Sequence, residues 1–387
     1  MRHCMTSERS SISLGAESPV VLSRRDFLGL GAAAVLSPAV ECASTESGDA
    51  RDGLPDWANA QIDAAVARFR AWKGNDDVVA FTFLTDVHSH VTELVRPPDF
   101  GNSRYHTLFT FAAADRAGCD FLVDGGDHDY EMGDKALGMP ARRMAVTEAI
   151  YRGYAKRPVL FCLGNHDHGP NLGQGVPRPV SSSLFGDTFN GLAERNGFGL
   201  VFGTNRSWGY YDVPGKRFRA VFCNTSDEGY YGFSSDQLDF VRRALETLPA
   251  DHTVALFGHF CVFDEIGHWK RHPDTARGKE AFMKTLEDFA RRRPNTLVGY
   301  FCGDSHFDNE LEFHGVNWTV SQGYGGVGRY DKPWGARFQP FDRSQTMNFE
   351  LVGVKPSVGE FKMFRVGIGG AASDRTCVYA TRAPTDS

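Results

Sequence analysis

Five short apolar runs in this 387-residue sequence each break into a cluster of aspartate, asparagine and histidine. "FTFLTDVHSH" delivers Asp86, His88 and His90, and "FLVDGGDHDY" delivers Asp127, His128 and Asp129. "VLFCLGNHDHG" carries Asn165, His166, Asp167 and His168, "VALFGHF" carries His259, and "YFCGDSHF" carries Asp304 and His306. Carboxylate, amide oxygen and imidazole together make a donor set for manganese, iron, magnesium or zinc. Ions held this way activate water and neutralise an anionic group undergoing displacement. One such cluster alone is weak evidence, because Gly303-Asp304 is also an ordinary turn pair and a single histidine after an apolar run is commonly structural.

The elements that must position these residues alternate. Short β-rich runs recur at 78–84, 120–123, 158–163, 219–223, 253–257 and 296–302, separated by helix-like segments at 105–117, 134–155, 235–248 and 279–293. The spacing of Ile62, Val66 and Phe69 predicts a further helix over 59–72. Ser234-Ser235-Asp236-Gln237 reads as a helix start of the capping-box kind. After Cys302 the texture becomes strand-rich, with runs at 310–313, 317–320, 345–354 and 359–366. This pattern predicts an α/β architecture in which ligands gather at the carboxyl ends of strands. The glycine string 323–328 imitates a dinucleotide fingerprint, but the residues after it cannot open the required helix, so it reads as a loop.

A chain that is 41% hydrophobic and 23% charged suits a soluble globular protein. A net charge of −6 argues against a sequence-independent grip on nucleic acid, and no stable nucleic-acid or membrane partner is expected. Ser23-Arg24-Arg25-Asp26-Phe27-Leu28, followed by a weakly apolar run to Leu36 and by Ser37-Pro38-Ala39, looks like a twin-arginine export signal. It predicts a periplasmic or exported product that meets the twin-arginine translocation machinery. Glu41 departs from the small residue that lipoprotein processing would want before Cys42. Cys162, Cys223, Cys261 and Cys302 lie in or at the end of apolar runs, as small hydrophobes do, and no CxxC pair is present. The expected division is a signal at 1–43, a linker and helix at 44–76, one domain at 77–370, strand-rich from about 326, and a tail at 371–387.

Taken together and in order, the five clusters resemble the calcineurin-like metallophosphoesterase superfamily over 78–325. Its motif series is Asp-x-His, Gly-Asp, Gly-Asn-His-Asp/Glu, Gly-His and Gly-His-x-His, and four elements match as written. The fifth stands as Gly303-Asp304-Ser305-His306, with aspartate in place of the first histidine. The resemblance implies a calcineurin-like β-sandwich of two mixed sheets flanked by helices. It implies one metal held by Asp86, His88 and His306 and a second by Asn165 and His259, with Asp127 bridging both; Asp304 stands where a histidine ligand of the second metal belongs, to bind directly or through water. His166 would act as general acid or donor to the phosphoryl oxygens, with Asp167 orienting it. The implied reaction is hydrolysis of a small phosphate monoester or diester by in-line attack of a hydroxide shared by two divalent or mixed-valence ions.

Asp304 adds a negative charge and a hard oxygen, which favours manganese, iron or magnesium over zinc. If 304–306 is extended, both of its functional side chains face one side. Tyr130 has a spacing reminiscent of purple acid phosphatases, but His88 fills the matching position. His90, His128 and His168 read either as second-layer hydrogen-bond partners or as loop residues. The pocket walls are expected from 93–104, 170–206 and 264–277, long polar loops in which Arg104, Arg178, Lys270, Arg271 and His272 are candidate phosphate contacts. The rival reading is a binding protein on the same fold with an altered second metal site.

Overall fold

Strands buried on both faces read as unbroken apolar runs, and β1 (Val79–Leu84) and β8 (Leu297–Cys302) are buried throughout. The computed structural model describes residues 54–87, 103–128, 139–168, 180–227, 231–262, 277–323 and 347–380. The twin-arginine stretch, His88, His90, Asp129, Tyr130, Arg178, Lys270, Arg271, His272 and the glycine string beyond Gly323 lie outside the described residues, as does the side chain of Arg104.

Two mixed sheets form among the described residues. In the first, β1 pairs in parallel with β2 (Phe121–Asp124), which pairs in parallel with β3 (Val159–Phe161). The other side of β1 takes β11 (Asn348–Lys355), then β12 (Glu360–Gly367) and β13 (Arg375–Val378), all antiparallel. The second sheet runs β4 (Val201–Phe202), β5 (Gly209–Asp212), β6 (Phe218–Phe222), β7 (Thr253–Phe257), β8, β10 (Val316–Val320) and β9 (Asn309–Phe313). Its β6, β7, β8 and β10 are parallel. The first sheet therefore runs past residue 370 into β13.

Alternation along the strands sorts side chains into layers. Val79, Phe81 and Phe83 point inward with Phe257, Phe301, Val352 and Met363 to make the core between the sheets. Ala80 and Leu84 point outward beneath α1 (Asp56–Lys73), α2 (Ser103–Ala117) and α3 (Met139–Tyr154). The predicted stripe of Ile62, Val66 and Phe69 on α1 is buried there. On the far side, α6 (Ser235–Glu246) and α7 (Lys279–Arg292) cover Leu256, Leu297 and Tyr300. The result is the α/β sandwich of two helix-flanked mixed sheets that the resemblance implies.

Residues 170–206 were expected as one loop, but 182–195 are helical. α4 (Ser182–Phe185), a π-helical turn (Gly186–Asn190) and α5 (Gly191–Arg195) follow one another. Phe185, Phe189 and Leu192 anchor this stretch in the outer core. Asn190 accepts from Phe161 N at 3.2 Å and donates to Phe161 O at 3.4 Å, so its amide stands where a neighbouring strand would pair with β3. At α6, Ser234 Oγ caps Gln237 N as expected. The Gln237 side chain does not complete a capping box; it grips the backbone of Asn224 through both N–H and C=O. Among the described residues, no helix is long and apolar enough to cross a membrane.

Phe81 is fully buried, stacked on Phe121 at 5.0 Å and edge-on to Phe257 at 5.2 Å. Phe81→Ala is expected to destabilise the fold by about 3–5 kcal/mol. In urea or guanidinium unfolding this would lower the midpoint and leave the slope unchanged.

Candidate metal centre

Every described ligand candidate stands just past the carboxyl end of a strand. Asp86 follows β1, Asp127 follows β2, Asn165 follows β3, His259 follows β7, and Asp304 and His306 follow β8. The first three belong to one sheet and the last three to the other, so the cluster forms at the seam where both sheets end. His306 Nε2 lies 3.0 Å from Asp86 Oδ1. His259 Nε2 lies 3.2 Å from Asp127 Oδ2, 3.2 Å from Asn165 Oδ1 and 3.6 Å from Asp304 Oδ1. Donor atoms of Asp86, Asp127 and His259 all fall within 4.8 Å of one another, and all three residues are buried.

These spacings suit a metal. Donors sharing an ion at about 2.1 Å lie about 3.0–3.4 Å apart. Asp304 Oδ2 is buried with no hydrogen-bond partner among the described residues, an arrangement that an ion or an ordered water would satisfy. The charge balance points the same way. Burial alone would push the His259 imidazole down, yet the Asp127 charge and hydrogen bond, with Asp304 and Asp86, hold it well above the usual histidine range. A cavity this rich in carboxylates attracts cations.

Left-handed backbone brings the side chains in. Asp86 (φ 56°), Asp127 (φ 56°), Asp304 (φ 63°) and His306 (φ 58°) all adopt it. Such positions cost about 1–3 kcal/mol each and collect at functional sites. The 304–306 segment is thus not extended. Asp304 and His306 face one site through a bend after β8, tightened by Ser305 N on Gly303 O at 2.7 Å, and not through strand alternation. Close approach also requires two glycines. A methyl group at Gly164 would collide with Asp127 Oδ1 and N, and one at Gly303 with Thr85 Oγ1 and Asp86 Oδ2.

Asp167 is a junction between two loops. Its carboxylate accepts from Asp127 N (2.9 Å), Gly164 N (2.8 Å) and His128 N (2.8 Å), and meets His128 Nδ1 at 3.1 Å. It thereby locks two ligand-bearing loops together. Burial would raise its pKa, but the charge and hydrogen bond of His128 outweigh this and lower it. His128 Nε2 contacts Asp124 Oδ2 at 2.8 Å, and Asp124 in turn takes the Tyr151 hydroxyl. The ring also stacks on Phe189 at 5.3 Å. His128 is accordingly a buried strut. His168 is buried as well, with Nδ1 2.6 Å from Val180 O and Nε2 3.2 Å from Ser226 O. His166 donates its main-chain N–H to Asp127 Oδ1 at 2.9 Å, and its side chain stays 21% exposed, facing both site and solvent.

Three contributors were not singled out from sequence. Thr85 Oγ1 donates to Asp86 Oδ2 at 2.8 Å. Tyr231 donates to Asp304 Oδ1 at 2.9 Å. Arg365, 1% exposed, binds Glu350 and both oxygens of Asp308, two residues past His306. An acid two residues after a predicted ligand was the available signal for this last contact.

With the geometry in hand, the described residues form an α/β sandwich of two mixed sheets, consistent with the calcineurin-like fold, with a candidate metal-binding cluster at the seam. No protein-family model matches the sequence, and no curated protein matches it. Among solved structures, a dimetal phosphatase from Danio rerio is similar at a TM-score of 0.56 and 14% identity, over 79% of this chain and 100% of that one. Purple acid phosphatase PPD1 from yellow lupin (Lupinus luteus) gives 0.46 and 13% over 81% of this chain and 58% of that one. At such identities the likeness to the dimetal phosphatase is one of fold.

The glycine contacts make a direct prediction. Gly164→Ala and Gly303→Ala should each lower metal uptake at least tenfold with far-UV circular dichroism unchanged, as checked by elemental analysis after dialysis against manganese.

Proposed function

We propose that this chain is a dinuclear metal-dependent phosphoesterase that hydrolyses phosphate monoesters or diesters. The convergence of six donor residues from five strand ends, with Asp304 Oδ2 buried and unpartnered among the described residues, carries the reading. Asp86 and His306, with His88, would hold one ion; Asn165, His259 and Asp304 would hold the other; Asp127 would serve both. Two such cations supply Lewis acidity toward a phosphoryl group and toward water.

The chain's own groups do the rest. Thr85 and the Asp304 amide fix one oxygen of Asp86, leaving the other toward His306. Asp167 fixes the Asp127 and Gly164 backbones so that the Asp127 carboxylate and the Asn165 amide keep their relative positions. His166 presents its ring at the open side of the site, where it can donate a proton or hydrogen bond to a leaving oxygen. The fold shared with a dimetal phosphatase supports the reading. We further propose export through the twin-arginine route, which would let the folded protein take its ions in the cytoplasm, where manganese and iron compete better against copper and zinc.

Two experiments test this. Protein expressed with manganese or iron should carry two metal equivalents by elemental analysis and hydrolyse nitrophenyl phosphate or bis-nitrophenyl phosphate. Chelation should abolish turnover, and His166→Ala should lower kcat by about 10²–10⁴ with metal content intact. A metal-free, inert protein would instead be the binding protein of the rival reading. In the second experiment, Asp304→His should shift metal preference toward zinc in competition dialysis, and an unchanged preference removes the role given to the carboxylate.

A further inference from the structure

A carboxylate at position 304 has two donor oxygens where an imidazole would have one. Left alone, it can chelate a single ion through both or swing between two ions. The structure prevents neither through Asp304 itself, which sits in a bend. The restraint comes from another part of the chain. Tyr231, 73 positions earlier in sequence, donates its hydroxyl to Asp304 Oδ1 at 2.9 Å, while Oδ2 is left buried with no partner among the described residues.

Tyr231 is itself held firmly. Its ring is 7% exposed and stacks on Phe260, the residue after His259, with centroids 4.1 Å apart. The following Gly232 donates to Thr225 O at 2.7 Å and bridges to both Ser226 and Arg277. Phe233 donates to Arg277 O and stacks on Phe282 at 4.3 Å. Phe260 N in turn takes Thr225 Oγ1 as acceptor at 3.0 Å. The hydroxyl is therefore delivered from a braced segment that also braces the His259 side of the site.

We infer that Tyr231 is a positioning residue that orients the Asp304 carboxylate as a ligand of the second metal. The hydroxyl holds the carboxylate with Oδ1, the oxygen 3.6 Å from His259 Nε2, turned toward the second metal position. The hydroxyl also draws charge from the carboxylate, limiting how far it quenches the ion's Lewis acidity. This rests on the dinuclear reading above and adds the partner that makes the aspartate substitution workable.

The test uses Tyr231→Phe, which removes one oxygen and keeps the ring stack, in the full chain stripped of metal and titrated with Mn²⁺ by calorimetry. Melting of the metal-free proteins controls for the fold. Wild type should bind two equivalents. Tyr231→Phe should keep one site unchanged and weaken the other about 10–100-fold, the usual cost of losing an outer partner of a ligand. In an Asp304→Ala background the same change should have no further effect on Mn²⁺ affinity, because the hydroxyl acts through that carboxylate. Equal two-site binding by Tyr231→Phe and wild type overturns the inference alone, as does a weakening that persists undiminished without Asp304. A wild type that takes fewer than two ions overturns the dinuclear reading and this inference with it.

Discussion

Asp86, Asp127 and Asp304 hold their carboxylates in a buried space with little water to screen their mutual repulsion. Much of the surrounding architecture offsets that charge. Asp86 takes a threonine hydroxyl, a main-chain amide and His306; Asp127 takes the His166 amide and His259; Asp304 takes Tyr231. Even so, one oxygen of Asp304 lacks a protein partner among the described residues, and His259 is driven toward its charged form. Cations would complete what these donors begin.

Such crowding also needs a stiff frame, since the left-handed turns at Asp86, Asp127, Asp304 and His306 would otherwise relax. Two devices provide it. The phenylalanine-rich layer between the sheets fixes the strand ends relative to each other. Beside the site, Arg365 on β12 clamps Asp308 after β8 and Glu350 on β11, so the loop carrying His306 is tied to the sheet that carries Asp86. Replacing one partner of a buried charge set like this leaves the others uncompensated, whereas the intact set mainly specifies geometry.

Much of the layout was legible because doubly buried strands betray themselves as apolar runs, and the polar clusters at their ends stand out against them. Boundaries at 253–257 and 279–293 fell within a residue of the observed elements. The helical stretch around Phe185, Phe189 and Leu192 was hidden although its spacing is helical, because Gly186 and Gly191 interrupt it and a π turn breaks the period. Asp304 and His306 face one site through left-handed local backbone and not through the strand alternation expected of 304–306. That the Asp167 carboxylate also bonds backbone amides of a loop 40 residues earlier left no sign in its local sequence. Tyr231 was out of reach altogether, as a hydroxyl's partner across 73 residues leaves no periodic trace.

The side-chain amide lying along β3 bears on how copies of this chain can meet. With both polar groups of Phe161 engaged by Asn190, that border gives an incoming strand no template at this residue. Among the described residues the other three borders, β4, β9 and β13, each present an exposed apolar side chain: Val201, Phe313 and Val378. At Phe161, the border that leads into Asn165 and His166 is closed to strand pairing.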